Sequence, residues 1–218
     1  MKQLHRRQLL GLFLAAVILP VSAGSYEDFF FAVRNNDGNK VSQLLQRGFD
    51  PNSVDPERGE TGLMIALRTD STRVVEVLLK APNVDVEMRA RNGDTALMTA
   101  AYKADIVAVQ ALLDHKAEVN RPGWTALHYA AAVGANDIVQ LLLDRYAYID
   151  AGSPNRTTPI MMAARGGHIL TVKLLLDAGA DVTLRNDAGM TSIDLARKFD
   201  HVDIADGLEW RIKRAAKQ

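Results

Sequence analysis

Residues 125–143 read TALHYAAAVGANDIVQLLL, and this stretch decides the fold. Its first part places Leu127 and Ala130 three residues apart, which is the spacing of one apolar face of a helix. Thr125 can cap that helix through its hydroxyl, and Gly134 can end it in a left-handed conformation. A second apolar run follows Gly134. The stretch therefore predicts two short helices joined by a tight turn.

The same pattern recurs along most of the chain. Comparable stretches begin at Thr61, Thr95, Thr158 and Thr191, and residues 28–45 follow the same register without the threonine. The steps between successive threonines are 34, 30, 33 and 33 residues. The second helix of each unit is apolar over too wide a stripe to be covered within one unit, so the units must stack. The sequence predicts an all-α solenoid of about six helix–turn–helix units, covering residues 26–57, 58–91, 92–121, 122–154, 155–187 and 188–218.

These units resemble the ankyrin repeat. The resemblance is carried by TALH at 125–128, TPIM at 158–161, GH at 167–168 and LLDAGADV at 175–182, and it covers roughly residues 26–210. It implies that the helix pairs are joined by β-turn fingers, the projecting loops between units. The fingers are expected near residues 51–60, 89–94, 120–124, 153–157 and 186–190.

The chain departs from the family pattern at several positions. The histidine of the motif survives only at His128, and Ala104 stands where the family has a glycine between the helices. Ala104 is the least comfortable replacement, because a β-carbon resists positive φ. The step of 30 shortens the finger before Trp124, which predicts a tight turn there instead of a hairpin. The motif histidine is replaced in other units by Met64, Met98, Met161 and Asp194.

The first 23 residues predict a secretory signal peptide. Residues 2–7 are basic, residues 9–19 (LLGLFLAAVIL) are apolar, Pro20 follows, and residues 21–23 (VSA) form an acceptable cleavage site. The apolar run of 11 is shorter than the roughly 20 residues of a membrane-spanning helix. An uncleaved membrane anchor remains the alternative. Arg6-Arg7 also allows twin-arginine export, although the strongly apolar run favours the general secretory route.

Composition limits the chemistry of the chain. It has no cysteine, which excludes disulfides, thiolate catalysis and cysteine-ligated zinc. The first 23 residues hold three basic residues and no acid, so the remaining domain, residues 24–218, carries 23 basic and 26 acidic residues and a net charge of −3. Such a domain has no general attraction to nucleic acid or anionic lipid. We expect neither nucleic-acid binding nor stable membrane insertion after signal cleavage.

No residue pattern predicts catalysis, a cofactor or a metal site. The sequence lacks a phosphate-binding loop, a HExxH motif and a nucleophile elbow. Four histidines follow the signal, and no two of them share a helical face at i, i+4. We therefore expect a non-enzymatic protein without cofactor or metal. An enzyme remains the alternative, and it would require histidines and carboxylates from different units to converge. The four histidines are His115, His128, His168 and His201.

The resemblance also implies where a partner binds. Ankyrin-like stacks use the concave groove between the finger tips and the outward residues of the first helices. Trp124 and Tyr102 lie near its expected centre, flanked by arginines that suit an acidic partner, and Trp and Arg often dominate interfaces. Trp124 has a second interpretation, as a cover for local apolar surface. The candidate positions are Arg58, Arg68, Arg91, Asn92, Tyr102, Lys103, Arg121, Trp124, Asn155 and Arg165.

The sequence thus predicts a monomeric scaffold that binds another protein. The signal peptide places it in the bacterial periplasm. The chain is similar to small exported bacterial ankyrin proteins, whose context suggests support of an envelope or stress-response enzyme. The alternative is a secreted effector or inhibitor that binds a host or rival protein.

Overall fold

The computed structural model describes residues 23–215, and the predicted signal peptide lies outside it up to residue 22. Twelve helices and no named strand occur in the described range, which confirms the all-α prediction. The only strand-like pairing there is an isolated bridge between Val54 and Thr61. The helices are α1 (Ala23–Arg34), α2 (Gly38–Gln46), α3 (Gly62–Arg68), α4 (Thr72–Leu79), α5 (Ala96–Tyr102), α6 (Ile106–Asp114), α7 (Ala126–Val133), α8 (Asn136–Asp144), α9 (Pro159–Arg165), α10 (Ile169–Asp177), α11 (Ser192–Lys198) and α12 (Val202–Ala215).

The helices form six antiparallel pairs that stack in chain order. The first helices of the pairs contact one another in the sequence α1, α3, α5, α7, α9 and α11. Small residues allow this close approach, because Ala100, Ala130 and Ala163 are fully buried between neighbouring first helices. One continuous apolar core runs from Phe29 to Leu208. The predicted apolar seam through the whole stack is therefore present. No helix within residues 23–215 has the length and apolar character to cross a membrane.

The turn inside each pair uses one left-handed residue. The prediction for Gly134 is confirmed, since it caps the C-terminus of α7 with φ +72°. Ala104 adopts φ +54° without the freedom of a glycine. The turn therefore carries backbone strain at Ala104, as the sequence indicated. The six turn residues are Asn36, Asp70, Ala104, Gly134, Gly167 and Asp200.

Threonines begin most of the first helices, although not all of them act as predicted. The hydroxyls of Thr61, Thr95 and Thr191 each accept a bond from the backbone N–H three residues later. Thr125 and Thr158 make no such bond: the hydroxyl of Thr125 lies 2.9 Å from Nδ1 of His128, and the buried Oγ1 of Thr158 has no hydrogen-bond partner. The backbone N–H of Thr158 instead donates to the sulfur of Met161 at 3.4 Å. The predicted bond from the helix backbone to the threonine hydroxyl is thus absent at Thr125 and at Thr158.

His128 joins two neighbouring units. Its Nδ1 accepts from the backbone N–H of Thr125 at 3.2 Å, and its Nε2 lies 2.9 Å from the carbonyl oxygen of Thr157 in the next unit. These partners assign the proton to Nε2, which donates to that carbonyl. The bond to Thr125 lies within one unit. His128 also bridges the units, which the sequence pattern alone did not show.

Candidate protein-binding surface

Four of the five fingers are closed by a backbone hydrogen bond across the turn. These bonds run from the N–H of Asp55, Ala90, Ser153 and Asn186 to the carbonyl of the residue four or five positions later, at 2.9–3.0 Å. The finger at 120–124 has no corresponding bond within the described chain. It is the finger that lacks three residues, and it forms a bend at residues 122–124 without a hydrogen-bonded turn.

Neighbouring fingers are also linked to one another, except around the short finger. The N–H of Arg91 donates to the carbonyl of Arg58 at 2.9 Å, and the N–H of Asp187 donates to that of Asn155 at 3.0 Å. At the position equivalent to Arg91 and Asp187, the fourth finger has Pro154, which has no N–H to donate. The ladder of fingers is therefore interrupted at the short finger, on the side that faces Pro154.

Three aromatic side chains meet beside this interruption, and we call Tyr102, Trp124 and Tyr129 the aromatic surface. The ring centroids of Tyr102 and Tyr129 are 6.0 Å apart with the ring planes at 85°, and those of Trp124 and Tyr129 are 6.3 Å apart at 48°. Tyr102 is 58% exposed, while Trp124 and Tyr129 are half-buried. Exposed aromatic groups on a rigid support are typical anchors of protein interfaces.

The second finger holds Tyr129 in place. Its hydroxyl donates to Oδ1 of Asp94 at 2.6 Å, and Asp94 also accepts from the side-chain amide of Asn92. Burial, followed by the bond to Asp94 and its negative charge, raises the pKa of the Tyr129 hydroxyl. The phenol therefore stays protonated and continues to donate. This contact fixes the ring orientation before any partner arrives, which lowers the entropic cost of binding.

Trp124 is partly buried and partly accessible. Its ring packs edge-on against His128 with centroids 5.2 Å apart, so part of it covers the apolar interior. The rest of the side chain remains accessible on the surface. The half-buried position limits its rotamer freedom, and a restrained side chain loses little entropy on binding.

The finger positions Arg58, Arg91 and Asn92 lie together at one side of the aromatic surface. Arg91 is exposed, and its guanidinium donates to the backbone carbonyl of Glu57 at 3.0 Å, a neutral partner that leaves its charge available. Arg58 is exposed next to it. Asn92 is tied to Asp94 and shapes the finger tip. These residues can contact a partner that covers Tyr102 and Tyr129.

Arg68, Lys103 and Arg121 are held by acidic residues of the protein itself. Arg68 makes two bonds to Glu60 at 2.8 and 3.2 Å, and Nζ of Lys103 lies 2.9 Å from Asp70. Arg121 contacts Glu87 and Glu118, and only 12% of its side chain is exposed. Arg121 thus stabilises the base of the short finger. Lys103 follows the end of α5, at the opposite end of that helix from the fingers.

Asn155 and Arg165 lie on the other side of the aromatic surface. The side-chain oxygen of Asn155 accepts from the hydroxyl of Ser153 at 2.6 Å, which shapes the fourth finger. Arg165 ends α9, and its guanidinium carbon lies 5.0 Å from the ring centroid of Phe199. A cation over an aromatic face keeps its full charge. Arg165 is exposed and can pair with an acid on a partner.

Sequence reasoning missed Tyr129. It lies four residues after Thr125, and the equivalent residues of the neighbouring units are Thr99 and Met162, with no shared chemistry. The repeat register could have identified it. Tyr129 directly follows the motif histidine, on the side of the helix that faces Tyr102 in the preceding unit. It is the central ring of the aromatic surface.

The described residues show no arrangement suited to metal binding. No group of three or more histidines or carboxylates converges within residues 23–215. His128 is fully buried, and this burial lowers the pKa of its imidazole despite the opposing effect of the Thr157 carbonyl. The lowered pKa keeps the imidazole neutral in its structural hydrogen bonds, and its burial leaves no access for a substrate.

Comparison with known sequences agrees with the helical geometry. Residues 29–120 and 74–153 match the family described as ankyrin repeats (3 copies), and residues 155–187 match the single ankyrin repeat. The chain belongs to the ankyrin-repeat family. Ankyrin repeats typically act as non-enzymatic modules that bind other proteins.

Relatives of this ankyrin-repeat protein include much longer chains. It is 34% identical over 176 residues to SH3 and multiple ankyrin repeat domains protein 2 of Homo sapiens, a match that covers 79% of this chain and 10% of that protein. It is 29% identical over 162 residues to transient receptor potential cation channel subfamily A member 1 of Homo sapiens, covering 69% and 14%. The chain spans only a small part of these relatives.

A solved structure has the same architecture. The ankyrin repeat domain of Bcl-3 aligns with a TM-score of 0.67 at 28% sequence identity, over 81% of this chain and 80% of that one. The likeness therefore extends over most of the six units. It supports the assignment of the fingers and first helices as one continuous face of an ankyrin stack.

Proposed function

We propose that this ankyrin-repeat protein is exported to the bacterial periplasm and binds a partner protein on the aromatic surface. The observation that carries the proposal is the group formed by Tyr102, Trp124 and Tyr129, which is accessible at a gap in the finger ladder. Its centre is braced by Asp94, so the surface is formed before binding. The partner is expected to be an enzyme of the cell envelope or of the stress response.

The proposed location is supported by the first 23 residues. They combine a basic start, an apolar run of 11 residues and the VSA site at 21–23. Cell fractionation with detection of the processed N-terminus tests this part. Processed chain in the periplasm supports the proposal, whereas accumulation in the medium would favour a secreted effector or inhibitor.

The binding surface is tested by crosslinking and pull-down from periplasmic extract. The wild-type chain should retain a specific partner, and the double variant Tyr102→Ala/Trp124→Ala should lose it. Thermal melts of both chains establish that the variant remains folded, which matters because Trp124 packs against His128. Since Tyr102 is more than half exposed, the single variant Tyr102→Ala provides a second measurement with little effect on packing.

A matched control comes from two other tyrosines. Tyr146 and Tyr148 are 85% and 69% exposed and follow the second helix of the unit that contains Tyr129. The variant Tyr146→Ala/Tyr148→Ala removes the same kind of side chain away from the first helices and should keep the partner. Equal retention by all variants would refute the assignment of the binding surface.

A further inference from the structure

The aromatic surface is flanked by positive charges that have no acidic partner. Arg58 and Arg91 lie on the side of the first two fingers, and Arg165 and Lys198 lie at the ends of α9 and α11. Within residues 23–215, no acidic side chain forms an ion pair with any of these four. Arg91 is bonded to a backbone carbonyl and Arg165 to a ring face, so both remain fully charged towards solvent.

Two acidic residues beside the aromatic surface, Glu60 and Asp94, are already engaged, whereas Glu57 next to Arg58 and Asp200 near Lys198 are exposed and form no ion pair in the described chain. Glu60 forms both of its bonds with Arg68, and Asp94 accepts from the Tyr129 hydroxyl and the Asn92 amide. Each flank holds two basic residues against one unpaired acid, so an uncharged aromatic centre lies between two flanks of net positive charge. A partner segment of complementary charge has an uncharged centre and acidic ends, and such complementarity favours specific and rapid association.

The arrangement of the three rings indicates which residue type fits at the centre of that segment. The planes of Tyr102 and Tyr129 are almost perpendicular, and Trp124 is tilted against Tyr129, so the rings present both faces and edges to the surface. Aromatic walls of this kind accept the compact pyrrolidine ring of proline, and proline also holds the peptide extended before binding. The interrupted finger ladder leaves the carbonyls of Asn92 and Pro122 without a partner in the described chain. They can accept from peptide N–H groups.

The spacing of the stack sets the length of the segment. The step from α5 to α9 crosses two helix contacts, each of about 8–10 Å, so the flanks are at least about 16–20 Å apart. An extended or polyproline peptide advances about 3.1–3.3 Å per residue. At least about five or six residues therefore separate the acids that reach Arg91 and Arg165.

We infer that the partner presents an extended segment with proline at its centre and acidic residues at both ends, and that the proline seats against Tyr102, Trp124 and Tyr129. The inference rests on the proposed function, because it specifies the chemistry of the partner at that same surface. Each flank contributes by charge, and the centre contributes by ring packing.

Synthetic peptides test this chemistry directly. The probe is a fluorescent peptide of about ten residues, sized from the same extended rise, with two acidic residues at each end and two central prolines. Fluorescence anisotropy measures its binding to the processed chain. Replacing the prolines with alanine, or the acids with their amides, should weaken binding by about tenfold or more in each case. Binding of the acidic peptide should also weaken as salt increases.

Variants that remove one positive charge test whether the two basic flanks cause the preference for the acidic peptide. Arg91→Gln and Arg165→Gln should each weaken the acidic peptide while leaving the amide peptide unaffected. Arg73→Gln is the matched control, because Arg73 is exposed on the second helix α4. Equal affinity for the acidic, amide and alanine peptides would overturn the inference, and so would an equal effect of the control variant.

A competition experiment separates the two proposals. The acidic proline peptide should displace the partner captured from periplasmic extract, and the amide peptide should not. Loss of the partner in Tyr102→Ala/Trp124→Ala without any peptide binding would keep the proposed function and overturn the inference. Retention of the partner by that variant would remove the proposed binding surface, and the inference with it.

Discussion

At the scale of single residues, the third position after each threonine explains how units are joined. His128 satisfies Thr125 in its own unit and the carbonyl of Thr157 in the next. The last described unit has Asp194, whose carboxylate accepts from the N–H and the hydroxyl of Thr191. The bond from the Thr191 N–H is the main cause that lowers the pKa of Asp194. A carboxylate, which accepts hydrogen bonds but donates none, is sufficient at this position. No further described unit offers a carbonyl to which a donor could bond.

Met161 is the weakest of these positions, so Met161→His is expected to stabilise the protein by about 1 kcal/mol. The new imidazole would satisfy the unpartnered hydroxyl of Thr158 and could donate to the carbonyl of Met190, which is equivalent to Thr157. Denaturant unfolding measures the change. The reciprocal variant His128→Met should lower the free energy of unfolding. A destabilised Met161→His would show that the site lacks room for the ring.

The buried imidazole also predicts a pH dependence. Burial lowers the pKa of His128 below its ordinary value of 6.5. Below about pH 6.5 the unfolded chain binds a proton that the folded chain does not, so the free energy of unfolding falls with decreasing pH until the lowered pKa is reached. Denaturant unfolding of wild type and His128→Met at several pH values measures this. The difference between them should shrink as the pH falls, and a constant difference would contradict the assignment.

At the scale of elements, the turn between α5 and α6 carries the clearest strain. Ala104 adopts φ +54°, where a β-carbon costs about 1 kcal/mol or more. Ala104→Gly should therefore raise the midpoint of thermal unfolding, although the greater entropy of the unfolded glycine offsets part of the gain. Gly134→Ala is the opposite control, since its β-carbon would lie 2.6 Å from the ring of His168. A lower midpoint for Ala104→Gly would mean that the turn is not strained.

The loops after the second helices are joined by side-chain amides. Asn120 donates to the carbonyl of Tyr146 and accepts from the N–H of Tyr148, both at 2.7 Å. Asp150 holds the same position one unit later and accepts from the N–H of Asp181 at 3.0 Å, but its carboxylate has no hydrogen to donate. Burial raises the pKa of Asp150, and the charge of Asp181 adds to this while the bond from the Asp181 N–H opposes it.

Asp150→Asn is therefore expected to stabilise the protein by about 1 kcal/mol at neutral pH. The amide removes a poorly solvated charge and supplies the missing donor. The folded wild type binds a proton at Asp150 more readily than the unfolded chain does. Wild-type stability consequently rises relative to the variant as the pH falls towards 3.8, and the advantage of the variant shrinks. Unfolding at neutral and acidic pH tests both statements, and an advantage that does not change with pH would contradict the charge argument.

The sequence predicted the elements better than it predicted their surface. Apolar periodicity, the threonines and the residue between the helices are local signals, and they located six helix pairs and the strain at Ala104. The environment of Arg121 depends on Glu87, which lies 34 positions earlier and is brought near only by stacking. Tyr129 was missed because its importance comes from contacts with Asp94 and Tyr102 in the preceding unit. Repeat periodicity does not reveal which side chains meet across units.

At the scale of the whole molecule, each described unit packs mainly against its immediate neighbours. Apart from the second helix of the same pair, the main contacts of each first helix are with the adjacent first helices, and second helices such as α6, α8 and α10 follow the same order. Stability in such an array is a sum of unit and interface contributions. The aromatic surface draws its rings from the third and fourth units, in the middle of the stack, where both sides of each unit are covered. A central position therefore suits a surface that must remain ordered.

This linear arrangement predicts that a destabilising substitution lowers the stability of nearby units more than that of distant units. Gly62 begins α3, and a β-carbon there would lie 2.7 Å from the ring of Phe29, so Gly62→Ala should cost about 1–3 kcal/mol through overpacking. Amide hydrogen exchange should show reduced protection in α1–α4 and little change in α9–α12, because sub-global opening follows contiguous units. Ala126→Gly is the matched control, which should reduce protection around α7 instead. An equal loss of protection in all twelve helices for Gly62→Ala would show that the stack unfolds as one cooperative unit.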